Sequence, residues 1–142
     1  ICLDTNLLIY AHRRGAAEHR AAQQAIENAA AQPGGWGFAL ATVAEFWAQV
    51  THPRYPGGVH SGASLRVSSK FVETGRARIF SPGVNGFARL LADAEQRGVS
   101  GPRIFDLQIA LAALNGGATR IWTHDAGFLP VPGLVIEDPL SG

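Results

Sequence analysis

Residues 106–125, DLQIALAALNGGATRIWTHD, pass from a helical pattern to an extended one. Leu107, Ala110, Leu111 and Leu114 are spaced three or four residues apart, which predicts an amphipathic helix. Asn115-Gly116-Gly117 supplies residues that end helices, because glycine adopts a left-handed backbone at no steric cost. The apolar residues at 121–122 then indicate a buried strand. The segment therefore predicts a helix, a turn and a strand, a unit typical of α/β sheets.

The rest of the chain repeats this alternation. Apolar runs predict further strands at 1–3, 36–40, 77–80 and 134–136. Helical spacing predicts a short helix after residue 4 and others at 18–31, from 43 to before Pro53, at 62–74, and from 84 to Gly98. Strands that alternate with helices form parallel sheets covered on both faces. We therefore predict one α/β domain over residues 1–142, a three-layer α/β/α sandwich with a central parallel sheet of four to five strands.

The composition is typical of a folded domain without a membrane span. Of the 142 residues, 46% are hydrophobic and 16% are charged, and the apolar runs are much shorter than the ~20 residues that a spanning helix needs. Cys2 is the single cysteine and cannot form an internal disulfide, which favours a reducing, cytoplasmic location. The chain contains no methionine, so we expect its start residue to be missing.

Four acidic residues lie where predicted strands end or the following helices begin: Asp4, Glu45, Asp106 and Asp125. Each has an ordinary structural explanation. Thr42-x-x-Glu45 matches a capping box, and each aspartate could cap a helix or interact with its dipole. Because the carboxyl ends of neighbouring parallel strands meet at one edge of the sheet, we expect the four side chains to converge in one cleft.

Converging carboxylates repel one another unless a cation lies among them. Mg²⁺ or Mn²⁺ suits such a site, because both ions prefer oxygen ligands, whereas no cysteine or pair of histidines at ligand spacing favours zinc. A bound metal activates water and stabilises charge on a phosphate. The residues thus predict metal-assisted phosphodiester hydrolysis, with the four acids as catalytic metal ligands. Asn6 and Thr123 would orient the acids and their waters. Whether one ion or two would bind stays open.

The blocks that carry these residues resemble the signature motifs of PIN-domain ribonucleases, and among these the VapC toxins of bacterial VapBC toxin–antitoxin pairs. The blocks are Asp4-Thr5-Asn6, Thr42-x-x-Glu45, Asp106-x-x-x-Ala110 and Thr123-x-Asp125-x-x-Phe128. The resemblance extends from Asp4 to Val135, with Leu107 where family members often carry alanine. It implies a PIN-like fold and a Mg²⁺- or Mn²⁺-dependent endoribonuclease toxin that cuts structured RNA such as tRNA or rRNA to inhibit translation. It also implies a homodimer and neutralisation by a cognate VapB antitoxin.

Three arginines are candidate contacts for RNA phosphate. Arg103 precedes Asp106 by three residues, and Arg13 and Arg14 end the first predicted helix, where they could equally complement its dipole. The residues leave two alternative functions open. A phosphatase of the haloacid-dehalogenase type also begins with a strand and an aspartate, but it needs a second aspartate at the position of Asn6. A catalytically inactive PIN-fold binding module would retain the fold without metal-dependent activity.

Overall fold

The computed structural model describes residues 1–56 and 77–142 and contains a five-stranded sheet in which every pair is parallel. The strands are β1 (Cys2–Leu3), β2 (Gly37–Ala39), β3 (Arg78–Phe80), β4 (Arg120–Trp122) and β5 (Val135–Glu137). Their order across the sheet is β3-β2-β1-β4-β5. The predicted parallel sheet and α/β class are confirmed.

Five helices connect the strands in the described ranges. They are α1 (Thr5–His12), α2 (His19–Ala30), α3 (Leu40–Val50), α4 (Gly86–Arg97) and α5 (Arg103–Asn115). The helix predicted at 62–74 lies outside the described residues. Within residues 1–56 and 77–142, no helix combines the length and apolar character required to cross a membrane.

The sheet is packed on both faces, as the alternation of side chains along a strand requires. Cys2 of β1 joins a buried cluster with Leu107 and Ile121, which α5 covers and α4 flanks. Leu3, the next residue, joins a second cluster with Ile26 of α2 and Trp122 of β4. Both residues of β1 are fully buried. The strand is therefore the centre of a three-layer sandwich.

The direction of the strand order reverses at β1. The chain moves from β1 outward through β2 to β3, and it later returns to the other side of β1 for β4 and β5. In open parallel sheets, ligands bind beyond the carboxyl ends of the strands where the order reverses. Residues that follow β1 and β4 therefore lie at the edge where a ligand is expected.

The first turns of two helices differ from the prediction. Helix α3 begins at Leu40, directly after β2, so Glu45 lies in the middle of the helix rather than in its first turn. Helix α5 begins at Arg103, three residues before Asp106, because Pro102 has the backbone angles that allow a helix to start. Neither Glu45 nor Asp106 is an N-cap, but Asp106 lies in the first turn of α5, as the helix-dipole explanation requires.

Candidate metal-dependent active site

Asp4 directly follows β1 and caps α1. Its Oδ1 accepts a hydrogen bond of 2.7 Å from the backbone N–H of Thr5. Its Oδ2 accepts from Asn6 Nδ2 at 3.0 Å and from Thr123 Oγ1 at 2.7 Å. The capping explanation is thus correct for one oxygen of Asp4, while the other is bound by side chains from two separate strand exits.

Burial determines the proton affinity of Asp4, which is 8% exposed. Loss of hydration raises its pKa to about 6, and the negative charges of Asp106 and Glu45 add to the increase. The hydrogen bonds from Thr123 and Thr5 oppose this rise, because they stabilise the ionised form. Asp4 therefore lies within the electrostatic influence of two other candidate acids, one from α3 and one from α5.

Thr123 links the exits of β1 and β4. Its hydroxyl donates to Asp4 Oδ2 and accepts from Asn6 Nδ2 at 2.9 Å and from the backbone N–H of Asp125 at 3.1 Å. These three bonds use the full capacity of a hydroxyl group. Asn6 Oδ1 in turn accepts from the backbone N–H of His124 at 3.2 Å. The network fixes the orientation of the Asp4 carboxylate relative to the start of the Asp125 loop.

Glu45 reaches the same edge from α3. Its Oε2 accepts a hydrogen bond of 2.6 Å from Thr5 Oγ1, the residue next to Asp4. The capping-box explanation is wrong here: Ala39 is the N-cap of α3, and Thr42 makes no capping bond. Because Glu45 lies five residues after the start of α3, its side chain is not used to cap the helix. It bonds instead to Thr5 at the start of α1.

Asp106 and Asp125 both lie close to the same nitrogen of the Arg103 guanidinium. Arg103 Nη1 is 3.1 Å from Asp106 Oδ2 and 3.8 Å from Asp125 Oδ2. Asp106 Oδ2 also accepts from the backbone N–H of Leu129 at 3.2 Å, and Asp125 Oδ1 accepts from that of Gly127 at 2.8 Å. Arg103, expected to bind RNA phosphate, is thus paired with two of the candidate acids.

The other two arginines lie away from these acids. Arg13 is the C-cap of α1, which Asp4 caps at its other end. A helix of eight residues separates its ends by about 12 Å. Arg13 influences the pKa of Tyr55, and Arg14 is exposed. The structure does not bring this pair to the carboxylates.

The donor chemistry of this edge suits a hard cation, since the side chains that converge there supply carboxylate oxygens and no thiolate. These side chains are not arranged as ligands around a single ion. Within the described part of the chain, no three Asp, Glu, His or Cys side chains are placed to hold a metal together. Arg103 lies between two of the acids, and Asp4 Oδ2 already has two donors. The edge therefore supplies the oxygen donors that a hard cation prefers, and the guanidinium of Arg103 lies beside two of them.

Comparison with known families gives an independent result. The family model for the PIN domain matches residues 1–134. The chain belongs to the PIN-domain family. PIN domains are generally metal-dependent nucleases that typically use Mg²⁺ or Mn²⁺, and the parallel sheet with helices on both faces is the PIN-like α/β/α fold. A search of curated proteins found no match.

Two residues of this edge were not predicted. Thr5 connects the Asp4 and Glu45 segments through its hydroxyl, and Gly127 lies against the Arg103 guanidinium. Thr5 lies inside the Asp4-Thr5-Asn6 block, so the sequence places it next to a candidate acid. Its hydrogen-bond partner Glu45 is 40 residues away in the sequence, which no local pattern indicates. Nothing local to Gly127 indicates its contact.

Proposed function

We propose that this PIN domain is a Mg²⁺- or Mn²⁺-dependent endoribonuclease in which Asp4, Glu45, Asp106 and Asp125 bind the metal. One observation carries the proposal. At the carboxyl edge of the sheet, the Asp4 and Glu45 carboxylates both bond to Thr5, and those of Asp106 and Asp125 both pair with Arg103. Thr123 joins the Asp4 carboxylate to the backbone N–H of Asp125. Acids distributed over more than 120 residues of sequence have no structural need to share one edge.

The bound ion would activate a water molecule and stabilise negative charge on the phosphate. Asp4, Glu45, Asp106 and Asp125 would hold the ion through their oxygens. Asn6 and Thr123 would keep Asp4 Oδ2 in a fixed direction, because both donate to it. Asp4 binds a cation only when ionised, so a cation and a proton compete for it.

The test is cleavage of RNA with Mn²⁺ or Mg²⁺ and with a chelator. We expect the chelator to abolish cleavage and Asp106→Asn to lower it by roughly a hundredfold or more, since a metal ligand contributes several kcal/mol to catalysis. Asp93→Asn is the matched control, because Asp93 pairs with Arg89 on helix α4. Cleavage that persists in chelator, or in Asp106→Asn at the normal rate, would refute the proposal. A protein that folds but cuts no RNA with either metal would be the inactive binding module.

The substrate and biological role are proposed by analogy with the toxins that the sequence blocks resemble. We propose that the substrate is structured RNA such as tRNA or rRNA, that cleavage inhibits translation in the cytoplasm, and that a VapB-type antitoxin neutralises a homodimer of this chain. Expression with and without an adjacent small open reading frame tests the toxin role. We expect expression of this chain alone to arrest growth and expression together with the small reading frame to relieve the arrest. Unimpaired growth on expression of the active nuclease alone would exclude the toxin role.

Asn6 argues against the phosphatase alternative. That chemistry needs an acid two residues after the first aspartate, and here Asn6 donates its amide hydrogen to Asp4. An amide does not act as a proton donor to a leaving group at neutral pH. A phosphorylated Asp4 detected by mass spectrometry would revive the alternative.

A further inference from the structure

One nitrogen atom of Arg103 lies among oxygen atoms beside β4. Nη1 is 3.1 Å from Asp106 Oδ2 and 3.8 Å from Asp125 Oδ2, and it also donates to the backbone carbonyl of Gly127. Two carboxylates and one carbonyl therefore surround a single positively charged group. Hard divalent ions use the same types of oxygen ligand.

Gly127 leaves room for this arrangement. A Cβ atom at position 127 would lie 2.6 Å from Arg103 Nη2 and 3.2 Å from Asp125 Oδ1. Any side chain there would press on the guanidinium and on one of its partners. Arg103 also begins α5, three residues before Asp106, so both side chains lie on one face of the helix.

We propose that Arg103 is an internal counter-ion, which occupies the cation position between Asp106 and Asp125 and competes with the divalent metal for these carboxylates. The inference depends on the proposed function, because it takes both residues as metal ligands. Two cations cannot occupy the same position, so metal binding requires the guanidinium to leave. In the described ranges no three Asp, Glu, His or Cys side chains are arranged around one metal position, and Asp106 and Asp125 pair with Arg103 instead.

The ion pairs are exposed enough for this exchange. The Arg103 and Asp125 side chains are 49% and 50% exposed, while that of Asp106 is 18% exposed. Exposed ion pairs contribute little free energy because water and salt screen them. Arg103 therefore lowers the affinity for metal without preventing binding.

The experiment measures Mn²⁺ affinity by isothermal titration calorimetry at fixed ionic strength and without RNA. The proteins are wild type, Arg103→Ala, Arg103→Gln and the control Arg97→Ala. Arg97 is also an arginine that donates to a backbone carbonyl, that of Pro130 at 3.1 Å, but it pairs with none of the four acids. Arg103→Gln removes the charge and retains a donor for the Gly127 carbonyl. Thermal melting of each variant verifies folding.

We expect both Arg103 variants to bind Mn²⁺ more tightly than wild type, on the order of tenfold, because two exposed ion pairs no longer compete. Arg97→Ala should bind as wild type does. Unchanged or weaker affinity in Arg103→Gln overturns the inference, and if wild type still binds Mn²⁺, the proposed function stands. Absence of Mn²⁺ binding in all four proteins overturns both. Binding that is detected in both Arg103 variants but is too weak to detect in wild type and Arg97→Ala also supports the inference.

Discussion

Asp4 and Asp125 follow neighbouring strands, yet Asp4 is 8% exposed while the Asp125 side chain is half exposed. Asp4 belongs to a buried half of the edge, formed with Asn6 and Thr123, in which neutral groups donate to the carboxylate. Asp125 belongs to an open half, formed with Arg103 and Asp106, in which a positive charge balances two negative ones. The buried half fixes a geometry, and the open half holds a cation that solvent can help to replace.

Both halves are needed for the proposed cleavage, and this gives the largest expected effect. Asp4→Asn and Asp125→Asn should each lower the RNA cleavage rate by about a hundredfold or more, because each removes a negative metal ligand. Rates are measured with saturating Mn²⁺, and circular dichroism verifies the fold. A normal rate in Asp125→Asn would remove Asp125 from the proposed metal site and leave Asp4, Glu45 and Asp106.

The pH dependence of stability should distinguish the halves. The pKa of Asp4 is about 6 in the folded protein and near 4 in an unfolded chain, so between these values the folded state holds more protons. The free energy of unfolding contributed by Asp4 therefore falls as pH rises through this window, by up to about 3 kcal/mol. Urea denaturation in the presence of chelator, repeated at pH values from 4 to 7, measures this change in the free energy of unfolding.

The matched variants for that experiment are Asp4→Asn, which should lose this part of the pH dependence, and Asp125→Asn, which should retain it. A wild-type profile that coincides with that of Asp4→Asn would mean that the proton affinity of Asp4 is not raised by burial.

Removing the hydroxyl of Thr123 tests how firmly the buried half is held. Thr123 is 1% exposed, so Thr123→Val leaves polar partners unsatisfied and should lower the free energy of unfolding by about 1–3 kcal/mol. Thr123→Ser keeps the hydroxyl and should recover most of this loss. Equal destabilisation by both variants would assign the effect to packing of the methyl group.

The smallest effect is expected in the open half. Asp125→Asn should change the free energy of unfolding by no more than about 0.5 kcal/mol, because the pair with Arg103 is 3.8 Å long and exposed. Urea denaturation in chelator measures it. A loss of unfolding free energy comparable to that of Thr123→Val would show that the Asp125 interactions stabilise the fold as much as the Thr123 hydroxyl does.

The periodicity of the sequence was sufficient to predict the parallel sheet and most of its helices, because spacing along one element is a local property. Element ends were less predictable. Helix α3 begins at Leu40, three residues before its first predicted apolar residue at 43, since propensity does not define where a strand becomes a helix. Thr42 and Glu45 match the capping-box sequence, but α3 begins at Leu40, before Thr42, so the two residues do not cap it.

The sequence by itself determined the order of strands and helices and indicated four acids near the ends of strands or in the helices that follow them. Only the tertiary structure decided which groups pair with them. Thr123 bonds to Asp4 across 119 residues, and Thr5 bonds to Glu45 across 40. Arg103 lies only three residues from Asp106, yet the position of its guanidinium depends on the β4 exit loop and on the space at Gly127. Such contacts depend on which strands become neighbours, which no local pattern encodes.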